Sequence, residues 1–95
     1  MSFRELINDP NVTIIDVRET WEFESGHVND SINIPLGQVP GMVEEFRKMS
    51  KPLVLICASG NRSGQAVHFL HQMGLEDVHN GGGWMEVKFA KREAA

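Results

Sequence analysis

One side chain in this sequence stands out as a nucleophile, the thiol of Cys57, and it is the chain's only cysteine. The residues that follow it, Ala58-Ser59-Gly60-Asn61-Arg62-Ser63, are small or polar apart from a single arginine. Ala58, Ser59 and Gly60 permit a tight curve whose backbone N–H groups turn inward. Such a nest, leading into a helix N-terminus, stabilises an anion at its centre. The favoured anion is the Cys57 thiolate, so a lowered pKa is expected. Arg62 adds a fixed positive charge and a forked set of donors for an oxyanion substrate. The chemistry this implies is nucleophilic, with a covalent intermediate on sulfur. A lone cysteine is otherwise a small buried hydrophobe. Its setting of strand, small-residue loop, arginine and helix gives Cys57 the catalytic reading.

Other polar residues are weaker candidates. Asp16 and Arg18 fall at the end of a strand and could support the site. Strand-end polar groups need partners, so a buried ion pair or a hydrogen-bonded strand terminus is expected of them. Trp84 is a candidate wall of the site, with a place in the core as the plainer reading of a bulky helix residue. His27, after Gly26, is expected to tie down a turn. His68 and His71 have the spacing of a metal pair, but they lie on the polar side of their helix with no third ligand apparent. One cysteine also excludes a multi-thiolate centre, so no metal site and no cofactor are expected.

These residues must be positioned by elements the pattern makes legible. Ser2-Phe3-Arg4-Glu5 has the spacing of a capping box, and Asp9-Pro10-Asn11 stops the short helix that follows. Val12-Thr13-Ile14-Ile15 is a β-branched run that reads as a buried strand delivering Asp16 and Arg18 at its end. Glu19 to Glu24 forms a brief helical turn closed by Ser25-Gly26, and Ile32-Asn33-Ile34 is a second short strand. Val39, Met42, Val43, Phe46 and Met49 recur at helical intervals, which predicts one helix over 39–49 with Pro40 in its first turn. Leu53-Val54-Leu55-Ile56 is a continuous apolar strand ending at Cys57. Ala66, Val67, Phe69, Leu70 and Met73 share one side of a helix over 63–73 that Gly74 ends. A last strand around Val78 leads through Gly81-Gly82-Gly83 into a terminal helix. Alternating helices and apolar strands predict an α/β fold with a mostly parallel sheet of four to five short strands, flanked by helices on both faces. In such sheets ligands bind beyond the carboxyl ends of the strands, where Asp16, Arg18 and Cys57 fall.

Composition narrows the function classes. Ninety-five residues, 41% of them hydrophobic, suit a single domain over 1–95 with one modest core. Nine basic and thirteen acidic residues give a net charge of −4 with no basic cluster, which argues against nucleic acid as a partner. No apolar run approaches the roughly 18 residues that span a bilayer, and Met1-Ser2-Phe3-Arg4-Glu5 carries charges where a signal peptide is apolar. A cytoplasmic location without membrane contact is expected. With no lid or second domain, the site is expected to be open to another molecule's thiol.

The loop Cys57 to Ser63 resembles the active-site loop of single-domain rhodaneses, the thiosulfate sulfurtransferases. Ile15-Asp16-Val17-Arg18-Glu19 is similar to that family's strand-end motif. Glu22-Phe23-Glu24-Ser25-Gly26-His27-Val28, followed by Ile32-Asn33-Ile34-Pro35, is similar to its signature after the first strand. Gly81-Gly82 matches the glycine pair before its last helix. The four motifs stand in the right order over nearly the whole chain. The resemblance implies a rhodanese-like fold and a two-step transfer. The Cys57 thiolate takes a sulfane sulfur from a donor such as thiosulfate, releasing sulfite. The persulfide is then cradled by the loop from Ala58 to Ser63, and a thiol or cyanide removes the sulfur. With no second cysteine the acceptor must be external, either a small thiol or a protein in a sulfur relay. The position after the cysteine, often basic or polar in that family, is Ala58. That leaves Arg62 as the only charged loop residue and bears directly on preference for thiosulfate.

Three other readings compete. A cysteine-dependent phosphatase or an arsenate reductase also uses a cysteine loop closed by arginine. The related phosphatases place five residues between the two, against four here, and the smaller loop suits a sulfur atom better than a tetrahedral oxyanion. A non-catalytic binding module would have no need of Cys57. A persulfide carrier for a protein partner shares the chemistry and differs in role.

Overall fold

The computed structural model describes residues 2–91; Met1 and residues 92–95, which the sequence reading included in the domain, lie outside the described residues. Ser2 caps helix α1 (Phe3–Ile7) through the expected box, its hydroxyl accepting from the Glu5 amide while Glu5 accepts from the Ser2 amide. Strand β1 (Thr13–Asp16) follows, then α2 (Thr20–Glu24) and the two-residue β2 (Ile32–Asn33). A 3-10 segment over Leu36–Met42 runs into α3 (Val43–Lys48). Strand β3 (Leu53–Cys57), helix α4 (Asn61–Gln72), strand β4 (Val78–Gly83) and helix α5 (Trp84–Ala90) complete the chain.

The four strands form one sheet in the order β2-β1-β3-β4, and every pair is parallel. The carboxyl ends Asp16, Cys57 and Gly83 therefore gather on one edge, with Asp16 opposite Ile56 and Cys57 opposite Gly83. β3 lies in the middle, and all five of its residues are buried. Its alternation splits the core in two. Leu53, Leu55 and Cys57 face a cluster with Phe46, Ala66, Val67 and Leu70 from α3 and α4. Val54 and Ile56 face Ile7, Val87 and Ala90 from α1 and α5. Helices thus cover both faces, which explains why β3 is apolar without interruption.

Three elements differ from the sequence reading. The helix expected over 39–49 is divided, because Pro40 lies inside the 3-10 segment and brings no N–H to an α-helical ladder. α4 starts at Asn61, two residues early, and Met73, expected on its buried side, is 43% exposed. β4 extends through all three glycines instead of stopping near Val78. Glycine is a poor strand former, so pairing with β3 overrides propensity here. The register slips at Asn80, where Leu55 faces Asn80 but Ile56 faces Gly82, so that Gly81 is the extra residue of a bulge. A Cβ on Gly81 would stand 2.6 Å from Val54 Cγ1 and 2.8 Å from Ile56 Cγ2, too close for any side chain. Gly81→Ala is expected to lower stability by about 1–3 kcal/mol through overpacking, read as a lower urea midpoint with an unchanged slope.

Candidate active site

Cys57 ends β3 with its side chain toward α4, and it is 1% exposed. The chain then turns through Ala58 and Ser59, both exposed, to Gly60. Gly60 is the N-cap of α4 at φ 99°, a left-handed conformation that glycine adopts without steric cost. It brings no side chain to cap the helix, so the first amides of α4 need another acceptor. The sulfur of Cys57 supplies it. The Gly60 amide donates to Sγ at 3.0 Å and the Ser63 amide, three residues into the helix, at 3.4 Å. The Ser63 hydroxyl lies 3.4 Å from Sγ as well. The structure therefore brings Cys57, Gly60 and Ser63 together at the positive end of a twelve-residue helix.

Two opposed effects act on the thiol. Burial pushes its pKa up, because a dry site penalises the thiolate. The amides of Ser63, Ser59 and Gly60 stabilise that same thiolate, as does the Ser63 hydroxyl when its single proton turns from Asn80 to Sγ, and together they prevail. The net shift is downward from the ordinary 9.0. The downward shift comes from local dipoles more than from a neighbouring full charge.

Asn80, which the sequence reading missed, orders this arrangement from the β4 bulge. Its Nδ2 donates to the Gly60 carbonyl at 3.0 Å. Its Oδ1 accepts from the Ser63 hydroxyl at 2.7 Å and from the Gly82 amide at 2.9 Å. The amide group of Asn80 thus ties both ends of the loop's second half to the sheet.

Arg62 is paired within the chain: it donates to the Glu22 carboxylate from Nη1 to Oε1 at 2.7 Å and from Nη2 to Oε2 at 3.0 Å, which engages two of the five N–H groups of a guanidinium. Glu22 also accepts the Glu19 amide at 3.0 Å, closing a capping box at the start of α2. The Arg62 guanidinium and that amide hold the Glu22 carboxyl down at about 2. The partners are 40 residues apart, so no local spacing announces them.

Asp16 and Arg18 form the buried ion pair expected of them, 0% and 4% exposed with a shortest contact of 2.7 Å. Arg18 also donates to the carbonyls of Gly26 at 2.7 Å and Glu22 at 3.3 Å. It therefore anchors α2 to the end of β1. The Trp84 ring lies 4.5 Å from the Arg18 guanidinium and packs on the second core cluster, the plainer of its two readings. His27 ties its turn by a 2.8 Å bond between Nδ1 and the Phe23 carbonyl. His68 and His71 are exposed on α4, and His71 Nε2 bonds the Val78 carbonyl at 2.8 Å. Among the described residues no group of three His, Cys, Asp or Glu side chains could hold a metal ion.

Gly83 packs so close behind the loop that a Cβ there would meet the Ala58 carbonyl at 3.1 Å, and Cys57 is recessed beneath exposed loop residues. The Glu22–Arg62 clamp has a pH signature. The folded carboxyl sits near 2 against an ordinary 4.5, so its stabilisation is complete above 4.5 and disappears as pH falls toward 2. The urea-stability gap between wild type and Glu22→Gln is expected to be flat above pH 4.5 and to close between 4.5 and 2. A gap independent of pH over that interval would contradict the clamp.

Comparison with known proteins agrees with this geometry. The family model for the rhodanese-like domain matches residues 2–90. The thiosulfate sulfurtransferase GlpE of Pseudomonas syringae pv. syringae is 30% identical over 83 residues, covering 87% of this chain and 77% of that protein. Two Bacillus subtilis proteins are longer than the region they share. YqhL is 42% identical over 67 residues, 70% of this chain and 52% of its own length. The putative sulfur carrier YrkF is 32% identical over 80 residues, 83% of this chain and 43% of its own length. Among solved structures, an E. coli rhodanese with anions superposes with a TM-score of 0.74 at 32% identity, covering 85% of this chain and 94% of that one. The strand-end cysteine, the amide-lined loop, the four-stranded parallel sheet and a match over residues 2–90 lead to one conclusion: the chain belongs to the family of rhodanese-like domains.

Proposed function

We propose that this domain is a sulfurtransferase that carries a sulfane sulfur as a persulfide on Cys57. The observation that carries this reading is the convergence of the Gly60 amide, the Ser63 amide and the Ser63 hydroxyl on one recessed sulfur. The Cys57 thiolate attacks the outer sulfur of the donor, the bond between that sulfur and the rest of the donor breaks, and its electron pair departs with the leaving group. The new Sγ–S bond carries the negative charge on its outer atom, inside the same nest. The transferred atom stands one bond length, about 2 Å, beyond Sγ and nearer the acceptor.

The chain's only cysteine is Cys57, so the acceptor is an external nucleophile, a small thiol or the thiol of a partner protein. The likeness to the putative sulfur carrier YrkF supports a relay of this kind. Thiols of either kind are abundant in a reducing compartment such as the cytoplasm. Among the described residues no helix is long and apolar enough to cross a membrane. Asp16 and Arg18 act as positioning residues, and Trp84 supports Arg18 from α5. The phosphatase or arsenate reductase reading is weaker, because the Arg62 charge that would hold oxyanion oxygens is offset by Glu22.

Incubated with thiosulfate or a low-molecular-weight persulfide, the intact protein is expected to gain the mass of one sulfur atom, reversibly by thiol. Cys57→Ala should gain none. No mass gain with any sulfane donor, or an equal gain in Cys57→Ala, would overturn the proposal.

A further inference from the structure

Resting on the sulfur-transfer reading above, we infer that Glu22 sets donor choice, offsetting the charge of Arg62 so that the loop takes its sulfur from the persulfide of a thiol compound in preference to thiosulfate. Arg62 is the only charged residue between Cys57 and Ser63. In this molecule its charge is already offset by a carboxylate that two of its N–H groups hold at 2.7 and 3.0 Å. That carboxylate is fixed from its other side by the Glu19 amide, and the Glu22 carbonyl is held by Arg18. Glu22 is 18% exposed and Arg62 32%, so solvent screens the pair only partly.

The remaining charges nearby do not replace Arg62. Arg18 is committed to Asp16, donating to both carboxylate oxygens. Lys88, exposed on α5, reaches over the Trp84 ring at 5.8 Å. Once Arg62 cancels Glu22 and Arg18 cancels Asp16, the reactive Cys57 thiolate leaves the site with a net negative charge. A thiosulfate dianion approaching it meets repulsion, and the charge of Arg62, the loop's one cation, is offset by Glu22. The reacting end of a persulfide carries one negative charge or none, and its outer sulfur is terminal. In that reaction Sγ bonds to the outer sulfur, the donor's S–S bond breaks, and its electron pair leaves on the inner sulfur as a free thiolate. Sulfur and charge balance without an oxidant or a reductant.

The test uses the full chain, following sulfur gain on Cys57 by intact mass with thiosulfate and with cysteine persulfide as alternative donors. Glu22→Gln keeps an oxygen for the Glu19 amide while releasing the charge on Arg62. In this variant the thiosulfate-to-persulfide rate ratio is expected to rise roughly tenfold at low salt, the lower end of electrostatic effects on association. The gain should shrink as salt screens the exposed arginine. A second measurement needs no variant: in the wild type the thiosulfate rate should rise with ionic strength as repulsion is screened, and more than the persulfide rate does. An unchanged ratio in Glu22→Gln, or a wild-type thiosulfate rate that falls with salt, would overturn the role of Glu22. Failure of the wild type to gain sulfur from either donor would instead overturn the sulfur-transfer reading beneath it.

Discussion

A thiol shut away from water can ionise only where the protein itself solvates the thiolate, and the loop around Cys57 is built to that requirement. Cys57 is 1% exposed, at the end of a strand buried along its whole length. Water therefore contributes little to holding the thiolate. What replaces it is the start of α4, whose glycine cap leaves amides unsatisfied until the sulfur accepts them. Each group resolves the other's deficit. The helix gains a cap, and the thiolate gains hydrogen bonds already in place before any reaction begins.

Keeping those donors aligned is the task of the surrounding residues. Asn80 holds the Gly60 carbonyl and the Ser63 hydroxyl from the neighbouring strand, reaching them because the β4 bulge shifts the register at that point. On the other side, the buried Asp16–Arg18 pair fixes α2 against β1. α2 then presents Glu22 to Arg62. The loop is thus clamped between two elements that belong to opposite sides of the central strand. The parallel sheet makes this geometry available, because it places the carboxyl ends of β1, β3 and β4 on one edge.

The features legible in the sequence are those whose cause is local. The Ser2–Glu5 capping box, the apolar run of β3 and the small-residue loop after Cys57 each follow from neighbours a few residues away. Asp16 and Arg18 could be paired in advance because both are polar at a strand end, two residues apart. Glu22 and Asn80 could not be assigned, since their partners are 40 and 17 residues distant and their own surroundings read as ordinary polar surface. The glycines of β4 misled for a related reason: their strand conformation comes from pairing with β3, against their own preference. Pro40 carried a local signal that the helical spacing of its apolar neighbours masked, and the 3-10 segment is the result.

The claim that protein dipoles replace water around Cys57 can be measured on the unmodified protein. The chain has one cysteine and no tyrosine, so the near-ultraviolet thiolate band reports Cys57 without overlap from tyrosinate. Titrating that absorbance against pH is expected to give a midpoint below the ordinary thiol value of 9.0. A midpoint at or above 9.0 would mean that burial prevails over the amides and the Ser63 hydroxyl, and would contradict the account.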